Sequence, residues 1–318
     1  MFAKVNERTR SKKESAITAS TVEQPDHSKF QGINELVLVC GHAIYNPRPL
    51  TIDDPVDTAS PHAESNWLLR DFQKSTPTKV GEHETFLKHI RAGVEALRRP
   101  NTFLIFSGGH TWEDVDLYES SSYLHALRAA QMLPEEYFHG YEWHRHRMPE
   151  RRICCERYAT DSYQNLLLSL LEFYCEVGKW PDMVTVITHA FKEKRFLECH
   201  AKALRWPLDR IRVLGINPPF AEEELAQVER FEARTRDDFL KDPYGCGTKL
   251  ASKRLERGWD PDYDVQDLVE GIPPNVPQAA ETKAMLYRLL DWEGDRTTST
   301  ISFPFPLPWD RTHSPQQP

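Results

Sequence analysis

Five short apolar runs punctuate the chain: Glu35-Leu-Val-Leu-Val-Cys40, Thr102-Phe-Leu-Ile-Phe106, Ile153-Cys-Cys155, Met183-Val-Thr-Val-Ile187 and Ile211-Arg-Val-Leu214. Runs that are apolar toward both sides mark strands covered on both faces. Between them the apolar positions switch to helical spacing. A short helix is predicted over Glu64–Lys74, with Trp67, Leu68 and Phe72 as its apolar set. A longer one is predicted over Glu82–Arg98, on Phe86, Leu87, Ile90, Val94 and Leu97, and a third over Val115–Met132, on Leu117, Leu124 and Leu127. The strongest pattern runs from Tyr163 through Leu166, Leu167, Leu170, Leu171 and Tyr174 to Val177. Asp161 is placed to cap it, Gln164 to complete a capping box, and Gly178 to end it. A further helix is expected over Lys192–Leu204.

Alternation of strand and helix predicts an α/β fold: a Rossmann-like parallel sheet of about five strands with helices on both faces. The expected organisation is a disordered segment over residues 1–31, an α/β domain over 32–220, and an extension over 221–318 that packs on the domain. In the extension, helices are expected over Glu222–Asp242, Thr248–Arg257 and Gln278–Asp291, separated by proline-broken coil. The loop Asn46–Pro61 is long for a connection inside a domain, which points to a functional or mobile segment. The tail Phe303-Pro-Phe-Pro-Leu-Pro-Trp309 can serve as an extended ligand for a protein partner or pack on its own domain.

In such sheets ligands bind at the carboxyl ends of the strands. Four strand ends carry polar chemistry: Gly41-His42, Ser107-Gly108-Gly109-His110-Thr111, Glu156 to Ser162, and Thr188-His189. Gly108 and Gly109 free the backbone to turn its amides toward a ligand, or simply make a tight turn. Lys192, Lys194 and Arg195 fall in the first turn of a helix, where positive charge opposes the helix dipole and a bound anion would offset the cost. His42, His110, Glu119 and Glu156 are the candidate acids and bases, and Asp161, Ser162 and Asn165 are candidate ligand contacts. Histidines and carboxylates on one edge can also hold a divalent metal, but their spacing matches no compact metal motif, so metal is the lesser expectation.

The 318-residue chain has a net charge of −8, which argues against a general nucleic-acid binder. No apolar run approaches the roughly 20 residues that span a bilayer. The first residues are basic without an apolar signal core, and Glu7 and Glu14 weigh against a mitochondrial transit peptide, so the cytoplasm is the expected location. The six cysteines form no C-x-x-C pair and are expected as reduced thiols. There is no G-x-G-x-x-G after the first strand, no Walker lysine in a glycine loop and no G-x-S-x-G elbow, which disfavours a dehydrogenase, a P-loop ATPase and an α/β-hydrolase.

Four ordered blocks of the chain resemble the YdcF-like proteins of domain-of-unknown-function family 218. They are Val37-Leu-Val-Cys-Gly41; Ser107-Gly108-Gly109 with Glu119 downstream; Glu156-Arg-Tyr-Ala-Thr-Asp161-Ser162-Tyr-Gln-Asn165; and Thr188-His-Ala-Phe-Lys192-Glu-Lys-Arg195. The likeness spans about residues 33 to 217, and the segment after 220 looks like the eukaryotic, chiefly fungal, branch. It implies a Rossmann-like fold with its site at the carboxyl edge. Bacterial relatives are often membrane-anchored and tied to envelope biogenesis, but this chain shows no anchor, so that role does not transfer. Lys192 stands where the bacterial pattern has His, so a histidine-dependent reaction does not carry over, and Asp161-Ser162 replaces Asn-Thr.

The expected function is therefore binding of a small anionic or nucleotide-like molecule. A transferase using a cofactor such as S-adenosylmethionine and a phosphoester hydrolase both fit. The alternative is a ligand-binding or protein-interaction module without chemistry.

Overall fold

Every residue of Glu35–Cys40 (β1) is buried, as a strand covered on both faces must be. In the computed structural model, which describes residues 26–47, 59–112, 114–138, 147–148, 152–292 and 302–310, β1 sits near the middle of a six-stranded sheet. After β1 the chain forms β2 (Ile44–Tyr45), β3 (Trp67–Leu68), α1 (His83–Ala96), β4 (Thr102–Ser107) and α2 (Glu119–Ala129). It continues through β5 (Arg147–Met148), β6 (Ile153–Glu156), α3 (Ser162–Val177), β7 (Met183–Thr188), α4 (residues 193–203) and β8 (Ile211–Gly215). The extension holds α5 (Glu222–Lys241), α6 (Thr248–Glu256), α7 (Pro261–Glu270) and α8 (Ala279–Leu290).

The spatial order is β5-β6-β4-β1-β7-β8. The strands β6, β4, β1, β7 and β8 are parallel, and β5 is an antiparallel edge strand. The chain first builds outward from β1 through β4 to β6, then returns to place β7 on the other side of β1. The order therefore reverses between β1 and β7, and the loops leaving those two strands diverge to open a crevice. Alternate residues of each strand feed two cores. Val37, Val39, Leu104 and Phe106 meet Phe86 and Ile90 of α1 and Leu124 and Leu127 of α2. Leu36, Leu38, Phe103 and Ile105 meet the continuous stripe of α3 together with Phe196 of α4.

The α/β expectation holds, with local corrections. The predicted helix over Glu64–Lys74 does not form. Two 3-10 turns, Glu64–Asn66 and Asp71–Gln73, flank β3, which pairs antiparallel with β2. Trp67 is held between Tyr45 and Phe86 and donates its indole N–H to the Pro61 carbonyl, while Phe72 lies 70% exposed, so its three apolar residues never shared a face. α2 starts at Glu119 rather than Val115, because Tyr118 is extended and the Glu119 amide donates to Gly109 O. The helix expected over Lys192–Leu204 is a succession of a 3-10 turn (Ala190–Lys192), an α turn (Glu193–Arg195), a π turn (Phe196–His200) and a last α turn (Ala201–Ala203). α7 was not anticipated, although Asp260 caps it and Pro261 occupies its first position, where proline is well tolerated.

Of the expected disordered segment, residues 1–25 lie outside the described residues, but order begins by His27–Phe30, where Phe30 packs on Phe103. Residues 48–58 of the long loop, and 139–146 and 149–151 ahead of β6, also lie outside the described residues. The extension shares the core of the α/β domain: Val265, Val269, Leu286 and Leu289 join the α3 side. Phe303, Leu307 and Trp309 of the proline-rich tail are buried there too. Trp309 donates to Leu204 O at 2.7 Å, and Arg205 donates to the carbonyls of Phe303 and Phe305 and pairs with Asp310 at 2.9 Å. The tail's large side chains are thus used within the molecule, apart from Phe305.

Trp309→Ala is expected to destabilise the protein by about 3–5 kcal/mol, read as a lower urea midpoint at unchanged slope. A tail that served only as a ligand for a partner would leave the midpoint unmoved.

Candidate functional site

The crevice between β1 and β7 opens into a cavity of about 900 Å³. Its floor is made by strand ends: Gly41 and His42 after β1, Thr188 and His189 after β7, and Glu119 at the start of α2. One wall is the segment from Arg70 to Glu82, and the other is built from Asp161, Ser162 and Asn165 of α3 with residues of α5 and α6. The extension therefore completes the cavity.

Lys192 reaches the floor from the 3-10 turn that follows β7. Its ammonium lies 3.2 Å from His42 Nδ1, and no carboxylate of the described residues comes within 4 Å of it. An ammonium can only donate, so Nδ1 accepts, the ring proton sits on Nε2, and Nε2 donates to Thr188 Oγ1 at 3.2 Å. Burial, followed by the Lys192 charge, holds the His42 imidazole far below its usual pKa. His42 is thus an uncharged acceptor that orients Lys192, which leaves it poorly suited to the proton-carrier role expected of it. Burial and the neighbouring Arg195 pull Lys192 itself down to about 8.

Two further histidines surround His42. His89 donates to Ile216 O at 2.8 Å and is held down to about 4 by burial. His189 stacks on Phe191, faces His42 with ring centroids 4.5 Å apart, and has neither ring nitrogen hydrogen-bonded. Glu82 stands 3.8 Å from its Nε2 and is paired with Lys79 at 3.0 Å. Among the described residues no group of three His, Cys, Asp or Glu side chains is arranged to hold a metal ion.

Arg195 is buried and points into the same cavity. Its Nε comes to 2.9 Å from Glu232 Oε1 of α5, but the angle is not that of a hydrogen bond, and neither atom has another hydrogen-bond partner. Arg254 of α6 donates from Nε to Asp161 at 2.6 Å while its buried Nη2 has no partner. Lys194, expected with Lys192 and Arg195, is exposed and turned away.

The glycines have a different task from the one expected. The amides of Gly41, Gly108 and Gly109 donate to Ser107 O, Glu156 O and Ala159 O at 2.7, 3.2 and 2.7 Å, so none is open to a ligand. What the missing side chains provide is room. A Cβ on Gly41 or Gly108 would stand 2.7 or 2.8 Å from the Glu119 carboxylate, and one on Gly109 would meet three carbonyls. Glu119 fills this space, accepts from Thr111 Oγ1 at 2.6 Å, and is pushed above its usual pKa by burial.

Glu156 does not line the cavity. It accepts from Ser107 Oγ at 2.5 Å and from the amides of Tyr158 and Ala159, and burial pushes it up to about 7. It braces the loop between β6 and α3 rather than facing a substrate. His110 also lies off the cavity, beside Tyr118. Asp161 caps α3 through the Gln164 amide at 2.9 Å; burial pushes its pKa up, but Arg254 and these hydrogen bonds outweigh it and hold the carboxyl below its usual range. Asn165 donates to Ser107 O at 3.2 Å, and Ser162 Oγ lies 2.7 Å from His200 Nε2.

Of the residues singled out in the sequence, the structure gathers Gly41, His42, Thr111, Glu119, Asp161, Ser162, Asn165, Thr188, Lys192 and Arg195 around one cavity. It leaves Ser107, Gly108, Gly109, His110 and Glu156 behind it. Arg70, which lies 4.2 Å over the Trp112 ring, Glu82, Glu232, Arg254 and Arg257 were missed. They sit in stretches without motif spacing, and only the packing of distant segments brings them in.

The sheet order and the crevice define a doubly wound, open-sheet α/β protein. No protein-family model matches the chain, and no solved structure matches it. It is similar to a protein of Saccharomyces cerevisiae described as Uncharacterized protein YOR238W, with 24% identity over 267 residues, 70% of this chain and 83% of that protein. That description names no ligand or reaction. No helix among the described residues is long and apolar enough to cross a membrane.

Gly41→Ala is expected to displace Glu119 and to lower stability by about 1–3 kcal/mol, the usual effect of overpacking. Chemical denaturation measures it. An unchanged midpoint would mean that Glu119 does not need this space.

Proposed function

We propose that this chain binds a small anionic, nucleotide-like molecule in the crevice between β1 and β7 and acts on it as a phosphoester hydrolase or a transferase. One observation carries the reading: the Lys192 ammonium stands at the cavity floor with no carboxylate of the described residues within 4 Å. Withdrawing such a charge from water is costly, and an anion offsets that cost. Arg195 and Arg254 line the same cavity, each already paired with a carboxylate, Glu232 and Asp161. Reversal of strand order at this place is where open α/β sheets take nucleotides. The blocks that resemble YdcF-like proteins contribute Gly41, Glu119, Asn165, Thr188, Lys192 and Arg195 to the same cavity.

Glu119 is the acid or base of this reading. It lines the cavity, and burial raises its pKa above the usual carboxylate range, which favours proton exchange with a ligand. Binding without turnover is the second reading. It is favoured by the engagement of Glu156 in the loop and by the uncharged state of His42, which leave few proton carriers. All six cysteines are free thiols, as suits a protein of the cytoplasm.

Thermal-shift measurements with inorganic phosphate, pyrophosphate, AMP and S-adenosylmethionine test the reading. A ligand at a hundredfold excess over its Kd stabilises the native state by about 2.7 kcal/mol, or about 4 °C for a chain of this length. Lys192→Ala and Arg195→Ala are expected to weaken anion binding by about tenfold or more each, whereas no stabilisation by any anion would rule the site out. Glu119→Gln separates the two readings, since turnover vanishes with affinity kept if the protein is an enzyme.

Binding should also depend on pH. Lys192 in the empty site titrates at about 8, so its charge is present below that value and lost above it. Affinity for phosphate is expected to fall by up to about tenfold per pH unit above 8, and Lys192→Ala should flatten the profile.

A further inference from the structure

Ser162 opens α3 and lines the cavity, and behind it the fully buried His200 comes to 2.7 Å from Ser162 Oγ through Nε2. His200 belongs to the π turn Phe196–His200, a kind of helix irregularity frequent at functional sites. Its Nδ1 has no hydrogen-bond partner, and the ring stands perpendicular to Phe239 with centroids 4.6 Å apart. With the proton on Nδ1 against that aromatic neighbour, Nε2 is left to accept the Ser162 hydroxyl proton.

We propose that Ser162 is a nucleophile with His200 as its general base, and that the chain cleaves a phosphoester through a phosphoserine at position 162. This rests on the anion-binding reading of the cavity. Ser162 Oγ forms a bond to phosphorus as the bond from phosphorus to the ester oxygen breaks. The hydroxyl proton moves to His200 Nε2, while the Glu119 carboxyl, on the opposite side of the phosphorus, gives its proton to the departing oxygen, which leaves as an alcohol. Water then attacks the same phosphorus from that side, giving a proton to Glu119 as the bond from Oγ to phosphorus breaks. The proton on Nε2 returns to Ser162 Oγ, and inorganic phosphate is released.

Two features fit these roles. Sixteen residues of α3 direct the positive end of their dipole at Ser162, where negative charge would gather. Arg195, 8% exposed and paired through Nε with Glu232 at 2.9 Å, lines the same cavity and can offer its terminal nitrogens to the phosphoryl oxygens. Burial, then the Arg195 charge, hold His200 down to about 3, so the imidazole is neutral but a weak base while the cavity holds no anion. A phosphoryl group on Arg195 offsets the second of these causes and makes the imidazole a better base when the proton has to move.

An alkyl fluorophosphonate, which transfers phosphorus to activated serines, tests the pair on the whole native protein. Mass mapping is expected to find the adduct on Ser162, blocked by inorganic phosphate and absent from Ser162→Ala. His200→Gln, with its melting temperature checked, is expected to slow labelling by about 100-fold. No adduct on Ser162 of the native protein, or an unchanged rate in a folded His200→Gln, overturns the proposal. Stabilisation by phosphate in the same preparation reports the anion site separately. A protein that phosphate stabilises but the probe does not label overturns the pair alone.

Discussion

Lys192 carries a positive charge to the point where the strand order reverses, and the neighbouring residues are arranged around that charge. Withdrawing an ammonium from water is costly unless something accepts its protons. A carboxylate would do so and close the site. A histidine does it here, and that histidine is fixed by Thr188 from the end of the adjacent strand. The ammonium is thus held in place without being neutralised. Arg195, in the next turn, is instead paired with Glu232 of α5 at 2.9 Å. Lys192 is therefore the charge at the floor that no carboxylate of the described residues meets, and an anion is the ligand that relieves it.

The glycine loop serves this arrangement indirectly. Ser107, Gly108 and Gly109 tie β4 to β6 and α3 through their backbones and through Glu156, and so bring the start of α2 and the start of α3 to the same cavity. The absent side chains of Gly41 and Gly108 leave the space in which Glu119 lies. A strand end that reads as an anion cradle therefore works as a frame that sets a carboxyl at the edge of a positively charged floor. The extension closes the frame from outside: Glu232 on α5 meets Arg195, and Arg254 on α6 meets Asp161.

The sheet was legible because burial on both faces forces continuous apolar runs, and those runs are visible without knowledge of their partners. α3 was legible for the same reason, with its stripe, its cap and its terminal glycine all local. The Trp67 segment was not, because three apolar residues satisfy a helix or a short strand equally and only the contact with Tyr45 decides between them. In the site, Lys192 and Arg195 could be found from their position after a strand. The role of His42 could not, since it depends on which atom of Lys192 and which oxygen of Thr188 it meets. His200, Glu232 and Arg254 lie in helices with ordinary patterns, and their neighbours are about forty to ninety residues away in sequence; such pairings are set by tertiary packing, which local spacing does not encode.

The central claim is that the crevice between β1 and β7 is an anion site built on Lys192. A crystal structure of the protein soaked in tungstate, a heavy-atom analogue of phosphate, tests it most directly through the anomalous signal of the metal. The expected result is a tungstate oxygen within hydrogen-bonding distance of Lys192 Nζ, at the floor formed by His42 and Thr188. Tungstate bound elsewhere on the molecule, with the crevice empty, would contradict it.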